Sequence, residues 1–272
     1  MLQVTILVIN FSKEGGGVIA SHPSLLLVCC MRYCRFIILL LTLSGCMVDV
    51  YPDMVFVEGG CVVLGDNNAI GDADESPQTV VEIEPFYIGK YEITQREWKR
   101  IMGNNPSYFQ DDDYPVECVS WYDVQVFIQR LNEITGEKFR LPTEEEWTYV
   151  AKGGKKQEEY LYSGSDSLEI VANADFALQS TTKVGTKCPN SIGVYDMTGN
   201  VHEWCGNTYD SMLYAKYAKV LPSNDICETR EKTFKGGSWA SGYKYARIEN
   251  RNHITPETRN FDLGFRVVME CE

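Results

Sequence analysis

Phe234-Lys-Gly-Gly-Ser-Trp-Ala-Ser-Gly-Tyr-Lys-Tyr-Ala-Arg247, with Leu263-Gly-Phe-Arg266 further on, decides how this chain is read. Paired glycines lead into Trp239, and aromatic, Arg and Asn residues then crowd the segment to His253. Rigid rings give contact area and the polar side chains give adaptable hydrogen bonds, so such a density suits recognition. No helical period runs through it. From Gly153 onward about a hundred residues read as loops and short strands rich in Gly, Asn, Asp, Trp and Tyr, a length that in a compact domain points to function or to an ion that holds the loops.

Upstream the signals are regular. Met54-Val-Phe-Val57, Cys61-Val-Val-Leu64, Thr79-Val-Val-Glu-Ile83 and Phe86-Tyr-Ile88 read as strands, with an acidic loop from Gly65 to Pro77 between the second and third. Thr94 stands three residues before Glu97, a capping box for a helix that runs to Gly103. Ser120 caps a second helix whose Val124, Phe127, Ile128 and Leu131 share one face, with Gly136 as its stop. Thr143 and Glu146 make a further capping box ahead of Trp147. There is no repeat and no low-complexity linker, so one domain is expected over 54–272.

The N-terminus reads as a processed leader. Met31-Arg-Tyr-Cys-Arg35 is a short basic region, Phe36-Ile-Ile-Leu-Leu-Leu41 is apolar, and Leu43-Ser-Gly-Cys46 follows. This pattern resembles a bacterial lipoprotein signal, in which Cys46 is lipidated and becomes the first mature residue. The apolar run is shorter than the ~20 residues that span a bilayer. Residues 31–45 are thus expected to be the signal peptide, 1–30 an extension of the gene model, and 46–53 a short tether.

The 272 residues carry a formal charge of -13, and since residues 1–45 hold Lys13, Arg32 and Arg35 against Glu14, the mature part carries -15. No basic run tracks a phosphate backbone, so a nucleic-acid partner is not expected. Beyond the leader the cysteines are Cys61, Cys118, Cys188, Cys205, Cys227 and Cys271, with no Cys-x-x-Cys pair, which argues against a zinc ribbon or a thioredoxin-type site. Export permits disulfides, but the spacing does not fix a pairing.

Four segments in order, Phe86-Tyr-Ile-Gly-Lys-Tyr-Glu-Ile-Thr94, Arg140-Leu-Pro-Thr-Glu-Glu-Glu-Trp147, Gly193-Val-Tyr-Asp-Met-Thr-Gly-Asn-Val-His-Glu-Trp204 and the Gly-Gly-Ser-Trp to Gly-Phe-Arg stretch, resemble the sulfatase-modifying factor, or formylglycine-generating enzyme, family. The resemblance covers roughly residues 54–268. It implies an α+β domain similar to a C-type lectin fold, with few short helices and strands and little regular structure. It speaks to fold more than to function.

The resemblance also implies what is missing. Oxidases of the family carry two cysteines after Gly-Gly-Ser that bind copper(I) and convert a sulfatase cysteine to formylglycine. Here the nearest equivalents are Ser241 and Tyr243. A hydroxyl does not replace a thiolate as a soft ligand, so neither copper nor that oxidase activity is expected. Iron is not expected either. His202 and His253 are the histidines left after the leader, far apart in sequence, where a facial site needs two His and a carboxylate.

For calcium the resemblance implies Asp196 and Glu203 through their carboxylates and Gly199 and Val201 through their carbonyls, a donor set suited to a hard cation with irregular geometry. It implies a ligand-binding face at Trp239, Ser241, Tyr243, Tyr245, Arg247, Asn250 and Asn252. Arg259 and Arg266 are read as structural. The expectation is an exported, lipid-anchored protein of a bacterial envelope, on the outer membrane and facing either the periplasm or the cell surface. It would be a calcium-stabilised binding or accessory protein for an unidentified protein, peptide or glycan. One alternative is a cysteine-independent enzyme acting on a peptide or small molecule, marked by a perturbed acid or base beside Ser241 and Tyr243. Another is a structural part of an envelope machine.

Overall fold

Three capping boxes set the helices where the sequence places them. The computed structural model describes residues 51–66, 69–174, 178–220 and 229–271, all within the unit Asp49–Glu272. The leader, Cys46 and Cys227 lie outside the described residues. Helix α1 (Gln95–Met102) starts at Thr94, whose hydroxyl accepts from the Glu97 amide while the Glu97 carboxylate accepts from the Thr94 amide. Helix α2 (Trp121–Thr135) starts at Ser120 in the same way and ends at Gly136, in the left-handed region at φ 79°. Helix α3 (Glu144–Ala151) starts at Thr143 with Glu146. Each cap satisfies amides that the first turn leaves without partners, a contribution of about 1 kcal/mol.

The strands are short and pair over long range. Strands β1 (Met54–Val57), β4 (Phe86–Gly89), β5 (Phe139–Arg140) and β10 (Val268–Glu270) form an antiparallel sheet in the order β1-β4-β10-β5. Strands β2 (Gly60–Leu64) and β3 (Thr79–Ile83) pair antiparallel. A further sheet runs β8-β7-β6-β9, from β6 (His202–Thr208), β7 (Lys232–Lys235), β8 (Asn252–Ile254) and β9 (Leu263–Gly264), with β6 and β9 parallel. Two single-turn helices, α4 (Leu168–Val171) and α5 (Leu213–Tyr217), punctuate the loops. The architecture is α+β with little regular structure, as expected.

Apolar packing divides into clusters. One gathers Val62, Leu64, Phe86, Ile88, Trp147 and Tyr149. Another gathers Trp98, Phe127, Leu131, Trp204 and Phe265, with the Trp98 and Phe127 rings stacked 5.3 Å apart. Between these clusters the loops are tied by charge. Among the described residues, three buried arginines of the C-terminal third each grip a distant glutamate with two hydrogen bonds. Arg247 holds Glu75 at 2.8 and 2.8 Å, Arg251 holds Glu144 at 2.8 and 3.1 Å, and Arg266 holds Glu203 at 2.6 and 2.6 Å. The acidic loop before β3 is thus drawn inward through Glu75. The described cysteines Cys61, Cys118, Cys188, Cys205 and Cys271 are free thiols.

Arg266 is fully buried and also donates to the carbonyls of Gly89 and Tyr195, so it joins β4, the loop before β6 and β6 itself. Removing one partner of a buried pair leaves an uncompensated charge in a dry interior. Arg266→Ala is expected to destabilise the domain by about 3–5 kcal/mol, and urea denaturation followed by tryptophan fluorescence measures it. A loss of under about 1 kcal/mol, the range of a surface pair, would contradict this role.

Candidate functional site

The Gly236-Gly237 pair fixes the backbone from which the site hangs. Both residues lie in the left-handed region, at φ 93° and 70°. A Cβ on Gly237 would sit 2.8 Å from the Ala246 Cα, and one on Gly236 would sit 3.0 Å from the Trp147 ring, so no larger residue fits without displacement. The chain then turns tightly, with the Ser241 amide donating to the Ser238 carbonyl at 3.0 Å and the Tyr245 amide donating to the Gly242 carbonyl at 3.0 Å.

Inside the first turn is a line of polar groups. The Ser238 hydroxyl donates to Asp262 Oδ2 at 3.0 Å and lies 3.2 Å from the Ser241 hydroxyl, which accepts from the Ser238 amide at 2.9 Å. Ser241 Oγ is in turn 3.2 Å from His202 Nε2. Burial pushes the His202 imidazole down to about 4, so at neutral pH it is an uncharged ring able to accept or donate one proton. The Phe234 ring packs against it at 4.8 Å. His202 reads in sequence as a solvated or packing residue; its place beside Ser241 is visible only in three dimensions.

Next to Ser238 and Asp262 in the chain, Trp239 and Phe261 belong to an aromatic group. Trp239 is 7% exposed, with Phe109 edge-on at 5.7 Å and Phe261 at 5.8 Å. Phe261 is 49% exposed and Tyr108, 6.2 Å from it, is 72% exposed. Glu117, fully buried, accepts from the Phe109 amide at 2.8 Å. Beside it Cys118 sits at φ 60°, and burial, followed by Glu117, pushes its thiol up to about 12, which keeps it protonated and unreactive.

The expected binding face therefore divides. Tyr243 and Tyr245 are exposed, at 56% and 52%, while Trp239 and Ser241 are buried. Arg247 and Asn250 are not part of a face. Both are buried and point to Glu75, Asn250 at 3.4 Å, because the acidic loop brings a carboxylate beneath the segment. Asn252 is half-buried on β8 and donates to Asn250 Oδ1 at 2.6 Å. Arg259 is exposed and holds Asp123 at the start of α2, with bonds of 2.8 and 3.0 Å.

Near Asp196 and Glu203, carboxylates outnumber cations. Glu203 is fully engaged, since both of its oxygens accept from Arg266 and one also accepts from the Trp147 indole at 2.8 Å. Asp196 Oδ2 accepts from the Gly185 amide at 2.6 Å. Burial pushes its carboxyl up to about 6. Glu92 is buried with them, accepting from Asn200 Nδ2 and the Val201 amide, and burial together with Asp196 and Glu203 raises it well above the ordinary carboxylate range. Among the described residues no three His, Cys, Asp or Glu side chains converge as a metal cluster, so a cation here would draw on backbone carbonyls as well. His253 is elsewhere, stacked on Tyr209 at 3.7 Å and bonded to Glu231 at 2.7 Å.

The chain matches the model of the sulfatase-modifying factor enzyme 1-like domain over residues 45–271, and it belongs to that family. Chaperone protein LppX of Paenibacillus barcinonensis is 31% identical over 284 residues, covering 83% of this chain and 94% of that protein. Some other curated relatives are longer, the chain spanning 38% of their length. Among solved structures, Treponema denticola variable protein 1 superposes with a TM-score of 0.70 at 26% identity, over 80% of this chain and 95% of that one. PvdO from Pseudomonas aeruginosa does so with a TM-score of 0.69 at 26% identity, over 81% and 95%.

The His202 environment has a pH signature. Its folded pKa, about 4, lies below the ordinary histidine value of 6.5, so the unfolded chain binds the proton more readily. The stability this contributes is present above pH 6.5 and is lost as pH falls towards 4. Compared with His202→Gln, the wild type is expected to lose roughly 2–3 kcal/mol between pH 7 and pH 4.5. Denaturant titrations of both proteins at the two pH values measure this difference. An unchanged difference would mean that His202 is not held neutral by burial.

Proposed function

We propose that this member of the sulfatase-modifying factor family is an exported, lipid-anchored envelope protein that binds a protein, peptide or glycan partner and acts as an accessory to it, without cysteine-dependent oxidation. One observation carries the reading. Where the family's oxidases need a thiol, the chain has the Ser241 hydroxyl, closed into hydrogen bonds with Ser238 and His202, while the neighbouring Tyr243 and Tyr245 rings stand exposed. A hydroxyl so placed offers no soft ligand for copper(I). The relative named as a chaperone, matched over 94% of its length, is in keeping with an accessory role. Leu43-Ser-Gly-Cys46 supports the lipid anchor at Cys46 and a place in the envelope.

Calcium is part of the proposal in a narrower form. With Glu203 held by Arg266, the ligands would be Asp196 and the carbonyls of Gly199 and Val201, with water completing the shell. The excess of buried carboxylates over cations around Asp196 supports a divalent ion there. If calcium binds, stripping it with a chelator lowers the melting temperature, because calcium at about 100 times its dissociation constant stabilises by ~2.7 kcal/mol. Asp196→Asn removes that sensitivity. Identical melting before and after verified removal of metal retires the ion from the reading.

A second reading, a cysteine-independent enzyme, is favoured by the neutral imidazole 3.2 Å from the Ser241 hydroxyl. A neutral imidazole can take a hydroxyl proton, which is what a serine nucleophile requires. Ser241→Ala separates the two, since it would leave partner capture intact under the first reading and abolish turnover under the second.

The test of the first reading is capture of partners from the native envelope by the tethered protein, quantified by mass spectrometry. Tyr243→Ala with Tyr245→Ala is expected to weaken capture roughly thirtyfold, the cost of ~2 kcal/mol at a hot spot. Melting should stay unchanged because both rings are more than half exposed. Undiminished capture would remove these rings from the binding face.

A further inference from the structure

On the flank of the segment that carries Tyr243 lies an open cleft of ≈ 590 Å³ bordered by Tyr160, Tyr162, Tyr243, Ser165, Asp166 and Glu169. Its far wall is a tight hairpin closed by two hydrogen bonds of 3.2 Å between Tyr162 and Ser165. The left-handed Gly164, at φ 90°, makes that turn feasible. The wall is braced by local contacts. Asp166 Oδ1 accepts from the Leu161 amide at 2.8 Å, Ser165 Oγ accepts from the Ser167 amide at 2.9 Å, and Ser167 Oγ donates to Glu169 Oε2 at 2.9 Å. Tyr162 is buried beneath and donates to the Tyr243 carbonyl at 3.4 Å, joining the hairpin to the Tyr243 turn. Tyr160 and Tyr243, 44% and 56% exposed, stand at the rim.

We propose that this cleft receives the cationic side chain of a lysine or arginine presented by an extended peptide. Tyrosine rings attract a cation through the negative face of the ring, by about 0.5–2 kcal/mol depending on how far it is desolvated. Asp166 and Glu169 add negative charge at the cleft wall, and each uses one oxygen in the local bracing described above. Lys187 lies nearby, donating to the Glu169 carbonyl at 2.9 Å, so two carboxylates there face one ammonium. Carboxylate and hydroxyl oxygens reward a cation that carries N–H donors, which lysine and arginine have and a trimethylammonium headgroup lacks. A chain of net charge -13 draws such a peptide in from a distance. The assignment deepens the partner-binding reading and rests on it, naming the chemistry of the partner next to Tyr243.

The test titrates the full chain with acetyl-Gly-Lys-Gly-amide, acetyl-Gly-Arg-Gly-amide, acetyl-Gly-Gln-Gly-amide, choline and N-acetylglucosamine, following the tyrosine ring resonances by NMR. A saturable response to the lysine or arginine peptide is expected, at least tenfold weaker in Asp166→Asn/Glu169→Gln and in Tyr243→Ala, and weakened by salt. Asp166→Asn keeps the oxygen that accepts from the Leu161 amide, and unchanged melting of the double variant shows that the hairpin is intact. Equal responses to the glutamine and lysine peptides, a stronger response to choline or to the sugar, or no saturable response at all would each overturn the assignment. Envelope capture by the double variant separates this from the broader reading. Capture that persists with no cation response sinks the cleft alone, and loss of capture in Tyr243→Ala/Tyr245→Ala but not in the double variant places the partner outside it.

Discussion

A domain with so little regular structure is held by a constraint that most folds do not need, the bidentate grip of buried arginines on distant glutamates. Arg266 and Glu203 are the centre of it. The pair spans 63 positions of sequence, and its guanidinium also closes the carbonyls of Gly89 and Tyr195, groups that loops would otherwise leave unsatisfied in the interior. An apolar pair of the same volume could be as stable, but it would leave those carbonyls without donors. Arginine suits this position because its planar fork satisfies a carboxylate and still has N–H groups left for the backbone. Arg247 with Glu75 and Arg251 with Glu144 repeat the device, and together they tie the loops after β7 to the acidic loop and to α3.

The same pairs decide what the surface can do. Because Arg247 and Asn250 turn inward to Glu75, the segment after Gly-Gly-Ser shows Tyr243, Lys244 and Tyr245 to solvent and keeps the Arg247 charge inside. Because the two glycines bring Ser238 and Ser241 against β6, the serine hydroxyls meet His202 and Asp262. The site is thus a polar group of two hydroxyls, an imidazole and the accepting Asp262 carboxylate, with aromatic rings beside it. Such a group has hydroxyl, imidazole and carboxylate atoms and no thiolate to serve as a soft metal ligand.

What was legible in the sequence follows the range of the interactions. The helices α1, α2 and α3 lie where their capping residues place them, because a cap and its partner are three residues apart and the pattern carries the whole cause. The strands before residue 90 were equally readable from their alternation. The misread residues have partners far away. Arg247 looked like part of a binding face because Glu75 is 172 positions distant, and His202 looked idle because Ser241 is 39 positions distant. Glu203 was expected to hold calcium, and its Arg266 partner is likewise 63 positions away. The family resemblance gave the fold, since motifs in order carry long-range pairing that periodicity does not. It gave less about the site, where single residues set the chemistry.

The buried acids complete the picture. Glu92, Asp196 and Glu203 crowd one guanidinium, and burial raises the first two above the ordinary carboxylate range, the mark of more negative charge than Arg266 alone balances. A divalent ion would supply that balance with greater rigidity than a proton, since it would bind the loop from Asp196 to Val201 through oxygens that a proton cannot gather. That loop leads directly into β6 and so into His202. An ion held by Asp196 and the carbonyls of Gly199 and Val201 would therefore lie next along the chain to the His202 imidazole that meets Ser241, so the charge balance of the acids and the polar group at the Gly-Gly-Ser turn share one short stretch of backbone.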